Sequence, residues 1–297
     1  MPKTARPRRS ILYMPGSNAR ALEKAKTLLA DGLILDLEDA VAPDAKDIAR
    51  RQVCDSVKGG GYGLRELIIR VNGLATPWGY EDIAAASRSG ADAILLPKVE
   101  SADAIRHMEA IMRANGAPDD MAIWAMMETP RSVLASEQIA SSTPRMQCFV
   151  MGTSDLAKEL DCAHTRERLP FITSLGLCLL AARAYSLTIL DGVYLDLKDD
   201  IGFDYACRQG AEMGFDGKTL IHPNQVATCN EVFTPRPEDV DWSRKIIIAH
   251  QAAAARGEGV AVVDGKLIEN LHVESAQRLV KMAEAIEAMR ASPQPVA

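Results

Sequence analysis

Residues 122–130 read AIWAMMETP, an apolar run that ends in a carboxylate followed by Thr-Pro. The six residues before Glu128 are all apolar, which is typical of a strand buried on both faces, as the strands of parallel sheets are. Pro130 ends such a strand, because proline cannot donate to the ladder of hydrogen bonds. The stretch therefore predicts a buried parallel strand with an acidic side chain at its carboxyl end.

Seven more short apolar runs end in a polar or Gly/Pro signal, and segments with helical spacing lie between them. One such helix runs through SADAIRHMEAIMRANG, with Ser101 as N-cap and Gly116 as stop. Eight strands alternating with helices predict a (β/α)₈ TIM barrel over residues 1–235, with an open doubly wound sheet as the alternative. The seven runs are ILYMPGS (11–17), LILDLED (33–39), LIIRVNG (67–73), AILLPK (93–98), QCFVMGTSD (147–155), ILDGVYLD (189–196) and FDGKTLIHP (215–223).

The remaining residues, 236–297, are not needed to close a barrel. PEDVDWSRKIIIAHQAAAARGEG predicts a long helix, and HVESAQRLVKMAEAIEAMRA predicts a final one. Between them, GVAVVDGKLIE predicts a hairpin that turns at Asp264-Gly265. We expect this C-terminal helical and hairpin extension to make oligomer contacts and to form a lid over the active site.

Composition and charge exclude several classes of protein. A formal net charge of -6 argues against a protein that coats nucleic acid, so we expect no nucleic-acid partner. The six cysteines form no C-x-x-C pair, which predicts reduced thiols rather than a zinc site. No apolar run reaches the length that a membrane span or a signal peptide needs. These features predict a cytoplasmic protein that does not contact membranes.

Polar residues end the predicted strands, and in a (β/α)₈ barrel the chemistry lies at those ends. Glu128 and Asp155 end neighbouring strands five and six. Two carboxylates without a His or Cys companion suit Mg²⁺, or Mn²⁺, rather than zinc. The alternatives are surface ion pairs, Glu128 with Arg131 or Asp155 with Lys158, and an N-cap role for Asp155.

Three further groups of residues, at strand ends or on the first helix, are candidates. Arg70 is placed to bind a carboxylate or a developing enolate oxygen, or else forms a salt bridge to Glu38 or Asp39. Those two acids are candidates for holding metal-bound waters. Arg20 and Lys26, on the first helix after a tight turn, suit phosphate binding, although two basic residues there are also typical of a solvated face.

Eight motifs, in this order, resemble those of the citrate lyase beta-subunit-like family, which includes malyl-CoA and citramalyl-CoA lyases and a malyl-CoA thioesterase. They are LYMPGSNAR, LDLEDAVAP, RVNG, LPKVES, METPRSV, MGTSDLAKEL, KTLIHPNQV and VDGKLIE. The resemblance implies a barrel, a divalent metal on Glu128 and Asp155, and Arg70 at the reacting centre. It also implies coenzyme A held by Arg20 and Lys26, and a homo-oligomer, either a trimer or a hexamer built from two trimers. The chain departs at Glu269, where the family commonly has Asp.

The reaction that the resemblance favours is Mg²⁺-dependent carbon–carbon cleavage of a 3-hydroxy-dicarboxylyl-CoA thioester, of the malyl-CoA or citramalyl-CoA type. The products are acetyl-CoA and a 2-oxo acid. Hydrolysis by a malyl-CoA thioesterase is an alternative, and so is a citrate lyase beta subunit acting on a carrier-bound citryl group. A class I aldolase with a Schiff base on Lys98 or Lys218 is a further rival.

Asp264 has two interpretations. Asp before Gly is a favoured pair in a hairpin turn, so a turn role suffices to explain it. In the family, however, the matching aspartate lies on a C-terminal segment that covers the active site of a neighbouring subunit. The resemblance thus implies that Asp264 is the general acid/base and acts in trans, in an active site shared between subunits.

Overall fold

The computed structural model describes residues 6–291. Two compact units make up the described chain. One extends from Arg8 to Phe233, and the other contains the segment from Thr234 onward together with the residues before Arg8.

The larger unit contains a closed barrel of parallel strands in the order β1 to β8, with β1 pairing β8 through Ser10 and Lys218. The strands are β1 Ser10–Pro15, β2 Gly32–Asp36, β3 Glu66–Arg70, β4 Ala93–Leu96, β5 Ala122–Met127, β6 Met146–Met151, β7 Thr188–Asp191 and β8 Gly217–Leu220. Each predicted apolar run therefore overlaps one strand, and the predicted (β/α)₈ barrel is confirmed.

Helices connect successive strands of the barrel, and a last one follows β8. They are α1 Ala19–Ala25, α2 Lys46–Gly59, α3 Gly79–Ala86, α4 Ala102–Ala114, α5 Pro130–Leu134, α6 Ser136–Ala140, α7 Thr153–Glu159, α8 Ile172–Ala184, α9 Asp200–Met213 and α10 Gln225–Val232. The side chain of Ser101 caps α4 by accepting from the backbone N–H of Ala104, as its sequence predicts. Short single-turn 3₁₀ segments precede α2 and α8.

Alternation along the strands divides the apolar residues between two cores. Inward-facing residues such as Ile11, Ile34, Ile68 and Trp124 fill the barrel interior. The outward-facing residues pack with the helices in a larger core. Every position of β5 is buried, which accounts for its unbroken apolar run.

The smaller unit has the predicted helical and hairpin elements: α11 Pro237–Ala255, the antiparallel strands β9 Ala261–Val263 and β10 Lys266–Ile268, and α12 Asn270–Ala291. Ala261, Val263 and Ile268 face a small core with Ile246 of α11. No helix among residues 6–291 has the length and apolarity that crossing a bilayer requires.

Candidate active site

Glu128 lies at the carboxyl end of the barrel, between two rigid elements. β5 ends at Met127 and α5 begins at Pro130, where Thr129 and Ser132 form a capping box. The Glu128 side chain is only 1% exposed, and its Oε1 accepts a 2.7 Å hydrogen bond from the backbone N–H of Lys98. Lys98 has a left-handed backbone, with φ of 49°, at the residue that donates this bond. The buried carboxylate is therefore held by the main chain of the neighbouring loop.

The end of β6 passes unusually close to this carboxylate. A Cβ atom at Gly152 would lie 2.4 Å from Cβ and 2.6 Å from Oε2 of Glu128. Only glycine permits this approach, because real Cβ contacts are never so short. Asp155 follows three residues later in the first turn of α7 and is partly exposed. The sequence MGTSD thus brings the second predicted carboxylate towards the first.

The pKa of Glu128 is raised to about 8. Burial is the largest cause, and the negative charges of Glu38 and Asp155 add to it, whereas the Lys98 backbone bond and Arg70 act in the opposite direction. The two predicted metal ligands therefore lie close enough for their charges to interact. Such repulsion between a buried acid and its acidic neighbours is relieved by protonation or by a bound cation.

The described residues do not support the alternative roles of Glu128 and Asp155, which were surface ion pairs and, for Asp155, an N-cap. Arg131 lies 3.8 Å from Glu100 and forms no ion pair with Glu128, and none joins Asp155 to Lys158 within residues 6–291. Asp155 is not the N-cap of α7 either, since Gly152 holds that position without a side-chain hydrogen bond.

Arg70, the last residue of β3, is anchored by an acid that the sequence prediction missed. Its Nε and Nη2 donate to the two carboxylate oxygens of Asp36 at 2.7 and 2.6 Å. Asp36 ends β2 and is the register partner of Arg70, so neighbouring strands bring the pair together. The sequence signal that could have identified Asp36 is its place as an acid at the end of the buried run LILD. This bidentate pair fixes the plane of the guanidinium at the floor of the barrel mouth.

Glu38 and Asp39 lie on the loop after β2, beside the same guanidinium. Arg70 Nη1 is 2.8 Å from Glu38 Oε2 and 3.6 Å from Asp39 Oδ2, so the predicted ion pair with Glu38 is present. The Glu38 contact lacks hydrogen-bond alignment, and this buried oxygen has no hydrogen-bond partner among the described residues. Burial raises the pKa of Glu38, Arg70 lowers it and Asp39 raises it. Because this oxygen is ion-paired with Arg70 but accepts no aligned hydrogen bond, Glu38 is a suitable acceptor for a ligand or a water.

The donor set fits a hard divalent cation. Carboxylate oxygens are the ligands that Mg²⁺ prefers, usually with several waters kept. Glu128 and Asp155 supply two such groups, and the absence of a side chain at Gly152 leaves the approach to Glu128 Oε2 open. Residues 6–291 contain no cluster of three or more His, Cys, Asp or Glu residues that could bind a metal, so a cation bound here would need oxygens besides those of Glu128 and Asp155.

The first helix separates the two residues expected to bind phosphate. Arg20 is exposed in the first turn of α1, directly after the loop that follows β1. Lys26 caps the opposite end of the helix, with its Nζ 2.8 Å from Glu23 Oε2 and 5.6 Å from the centre of the Tyr62 ring. This end of α1 leads back towards the start of β2, away from the carboxyl ends of the strands. The position of Lys26 therefore does not support its assignment to phosphate binding.

Neither Lys98 nor Lys218 is positioned to form the Schiff base that a class I aldolase requires. Burial lowers the pKa of Lys98, but Glu38, Asp155 and Glu128 outweigh this and raise it above its usual value, which keeps the amine protonated. Lys218 is fully buried outside the barrel lumen and pairs with Asp191 at 2.8 Å. A Schiff-base mechanism needs an accessible neutral amine, which neither residue offers.

Asp264 lies in the smaller unit, at the turn between β9 and β10. Its φ of 48° and that of 76° at Gly265 are those of a tight hairpin turn, as the Asp-Gly pair predicts. The side chain is 68% exposed, and Lys245 Nζ is 3.8 Å from its Oδ2. The carboxylate is therefore presented to solvent at a hairpin tip, a position open to the turn role and to a functional role.

Comparisons with known proteins show what the whole chain is similar to. Residues 9–223 match the HpcH/HpaI aldolase/citrate lyase family. A (3S)-malyl-CoA thioesterase of Cereibacter sphaeroides is 49% identical over 98% of this chain and 100% of its own length. An L-malyl-CoA/beta-methylmalyl-CoA lyase of the same species is 34% identical over 96% of this chain and 97% of its own length. The CitE protein of Mycobacterium tuberculosis, solved with magnesium, acetoacetate and coenzyme A, superposes with a TM-score of 0.69 at 26% identity, covering 93% of this chain and 97% of that one.

Proposed function

The chain is an enzyme that belongs to the HpcH/HpaI aldolase/citrate lyase family, and within this family we propose that it is a thioesterase acting on a malyl-CoA-type thioester. The observation that carries this proposal is the 49% identity to a (3S)-malyl-CoA thioesterase over 98% of the chain, against 34% to a malyl-CoA lyase. The family resemblance in the motifs is thereby confirmed. The expectation that carbon–carbon cleavage is the main reaction is not confirmed. Hydrolysis of the thioester agrees better with these two identities.

We propose Mg²⁺ as the cofactor, with Glu128 and Asp155 as its protein ligands. When bound, such an ion polarises substrate oxygens as a Lewis acid. Glu38 and Asp39 are proposed to hold waters beside it, and the Oε2 of Glu38, which accepts no hydrogen bond among the described residues, supports that role. The structure of CitE with magnesium supports the choice of metal.

Hydrolysis requires a water oxygen to bond to the thioester carbonyl carbon while the carbonyl electron pair moves onto its oxygen. Arg70, held flat by Asp36, is proposed to stabilise that oxygen with its guanidinium. A base removes the proton from the attacking water. When the carbon–sulfur bond breaks, the same proton passes to the departing thiolate, leaving malate and free coenzyme A.

We propose Asp264 as this base, acting in trans from the extension of a neighbouring subunit in a trimer or hexamer. Its exposure at the hairpin tip supports the proposal, since a carboxylate that serves another chain must be free to reach it. Coenzyme A is proposed to lie along α1, where Arg20 is exposed near the carboxyl end of β1, and Lys26 is a secondary candidate.

Carbon–carbon cleavage is the second candidate, favoured by the 34% identical lyase that covers 96% of this chain. In that reaction Arg70 would stabilise a thioester enolate, and the acid that protonates its carbon would take the place of the base. Action on a carrier-bound citryl group is a third candidate, since solved citrate lyase beta subunits share the fold.

Products distinguish these reactions. Pure protein is incubated with (3S)-malyl-CoA and Mg²⁺, and the products are separated by chromatography, with the Glu128→Gln variant as control. Malate and free coenzyme A are expected, and the control should form neither. Formation of acetyl-CoA and glyoxylate would show that the protein is a lyase rather than a thioesterase. Failure to turn over any free coenzyme A ester would favour a carrier-dependent subunit.

A further inference from the structure

Tyr13 of β1 crosses the inside of the barrel beneath the candidate active site. It follows Ile11 on the inward face and packs on the interior core, yet remains partly exposed. Its hydroxyl reaches Met126 on β5, four strands away around the closed barrel, with an Oη to Sδ distance of 3.9 Å. Arg70 of β3 lies over its ring, with Cζ 4.9 Å from the ring centre. The phenol ring thus forms the floor on which the guanidinium rests.

Two donors converge on one weak acceptor at this floor. Arg70 Nη1 is 3.7 Å from Met126 Sδ, the atom that the Tyr13 hydroxyl also approaches. A thioether sulfur is a poor hydrogen-bond acceptor. No oxygen or nitrogen among the described residues accepts from the Tyr13 hydroxyl, so its donor capacity is nearly unused.

A purely structural role does not require this hydroxyl. Phenylalanine would fill the same floor and carry the same stacked guanidinium, without the cost of a partly buried polar group that lacks a good partner. Burial raises the pKa of Tyr13 well above its usual value; Arg70 opposes this, and Asp36, Glu128 and Glu38 add to it. The hydroxyl therefore stays protonated and remains a donor throughout the neutral range.

We propose that the Tyr13 hydroxyl and Arg70 Nη1 form a two-donor site for the thioester carbonyl oxygen of the substrate, and that Met126 Sδ occupies this site when no substrate is bound. The inference rests on the proposed thioester chemistry. Methionine has three rotatable side-chain bonds, so its sulfur can move aside for an oxygen. One neutral and one cationic donor, both fixed beforehand, are what an oxygen needs when it gains negative charge.

Tyr13 transfers no proton in this step. Water oxygen bonds to the carbonyl carbon, and the electron pair of the carbonyl double bond moves to the oxygen between the two donors. The pair returns when the carbon–sulfur bond breaks and coenzyme A leaves with the sulfur electrons. The hydroxyl stabilises the charged oxygen and is unchanged at the end.

The test is Tyr13→Phe, which removes the hydroxyl and keeps the ring under Arg70. Tyr62→Phe is the matched control, because the Tyr62 hydroxyl lies outside the barrel and is well bonded, 2.6 Å from Ser56 Oγ and 3.3 Å from the carbonyl oxygen of Leu22. We expect Tyr13→Phe to lose about 100-fold in kcat on (3S)-malyl-CoA, with KM changed less than about threefold and thermal stability unchanged. Tyr62→Phe should show the opposite pattern, with a lower melting temperature and full kcat.

Wild-type kcat in Tyr13→Phe would overturn the inference, as would a loss of activity matched by a loss of stability. A wild-type enzyme that does not hydrolyse malyl-CoA refutes the proposed function instead, and malate binding in the presence of Mg²⁺, measured by calorimetry, then decides the role of Tyr13. About tenfold weaker malate binding by Tyr13→Phe is expected, since a carboxylate oxygen of malate would accept from the Tyr13 hydroxyl at the same two-donor site. Unchanged malate affinity would overturn the inference.

Discussion

Replacing Glu128 by glutamine should remove a pH dependence from the stability of the metal-free protein. The carboxylate is buried, and its pKa is raised from its usual 4.5 to about 8. An acid whose pKa is higher in the folded state binds more protons when folded, so the folded state loses stability as pH rises from about 4.5 to about 8. Glutamine has the same shape, keeps an acceptor for the Lys98 backbone N–H and has no charge to bury.

The size of the effect follows from the shift. One pKa unit corresponds to about 1.4 kcal/mol, so the full rise from 4.5 to about 8 corresponds to at most about 5 kcal/mol. Between pH 6 and pH 8 the Glu128 contribution to the unfolding free energy should fall by about 2 kcal/mol. Above about pH 8 it should change little more, because the carboxyl group is then ionised in both states.

The assay is urea unfolding with EDTA at intervals from pH 6 to pH 8.5, for wild type and Glu128→Gln. The variant should become the more stable protein as pH rises. Glu100→Gln, at a glutamate whose side chain is 47% exposed, is the control and should follow wild type. Saturating Mg²⁺ should abolish the fall in wild type only, because the cation takes the place of the proton. Parallel curves for wild type and Glu128→Gln in EDTA would refute the reasoning.

Four further predictions concern the neighbouring residues. Arg70→Lys should lose about 100-fold in kcat and about 2 kcal/mol in unfolding free energy, because an ammonium cannot reproduce the bidentate bond to the buried Asp36 carboxylate. Wild-type kinetics in this variant would show that the arginine has only a structural role. Gly152→Ala should abolish Mg²⁺ binding in calorimetry, since its Cβ would lie 2.6 Å from Glu128 Oε2, and unaltered binding would contradict the close approach. Asp155→Ala should weaken Mg²⁺ binding at least tenfold while the melting temperature in EDTA stays nearly unchanged, and intact Mg²⁺ affinity would remove it as a ligand. Mixing inactive Glu128→Ala and Asp264→Asn chains under subunit exchange should restore part of the activity, and no recovery despite proven exchange would place Asp264 in its own subunit's site.

The barrel was predictable because its strands are buried on both faces. Burial of this kind leaves an unbroken apolar run such as AIWAMM, and the residue that ends each run marks the carboxyl end of a strand. Glu128, Asp155, Glu38 and Arg70 were found in this way, and the structure brings them together. Secondary structure within one segment is a local property, so its signal survives in the sequence.

Features that depend on distant contacts were not predictable. Asp36 was missed because its partner, Arg70, is 34 residues away in sequence and becomes a neighbour only through strand pairing. The helix formers in ARALEKAKTLLA favour a longer first helix, but α1 ends at Ala25. Arg65 binds the carbonyl oxygen of Leu28 at 2.6 Å and holds the chain in the turn back to β2. Helix propensity contains no information about that contact.

The role of Tyr13 was also hidden in the sequence. A tyrosine in the first strand, in ILYMP, is ordinary for a β-strand. Its importance appears only when the barrel closes and places β1 opposite β5, so that the hydroxyl meets Met126. Closure of the barrel, rather than any local pattern, brings the two donors to one point.

Hydrolysis of (3S)-malyl-CoA in ¹⁸O-labelled water, with Mg²⁺ present, tests the central claim most directly. Attack of water on the thioester carbonyl puts one ¹⁸O atom into the new carboxylate of malate and releases unlabelled coenzyme A. Mass spectrometry should therefore show malate heavier by one label, formed at the rate at which free thiol appears. Appearance of acetyl-CoA and glyoxylate, without labelled malate, would contradict hydrolysis and establish carbon–carbon cleavage as the reaction of this site.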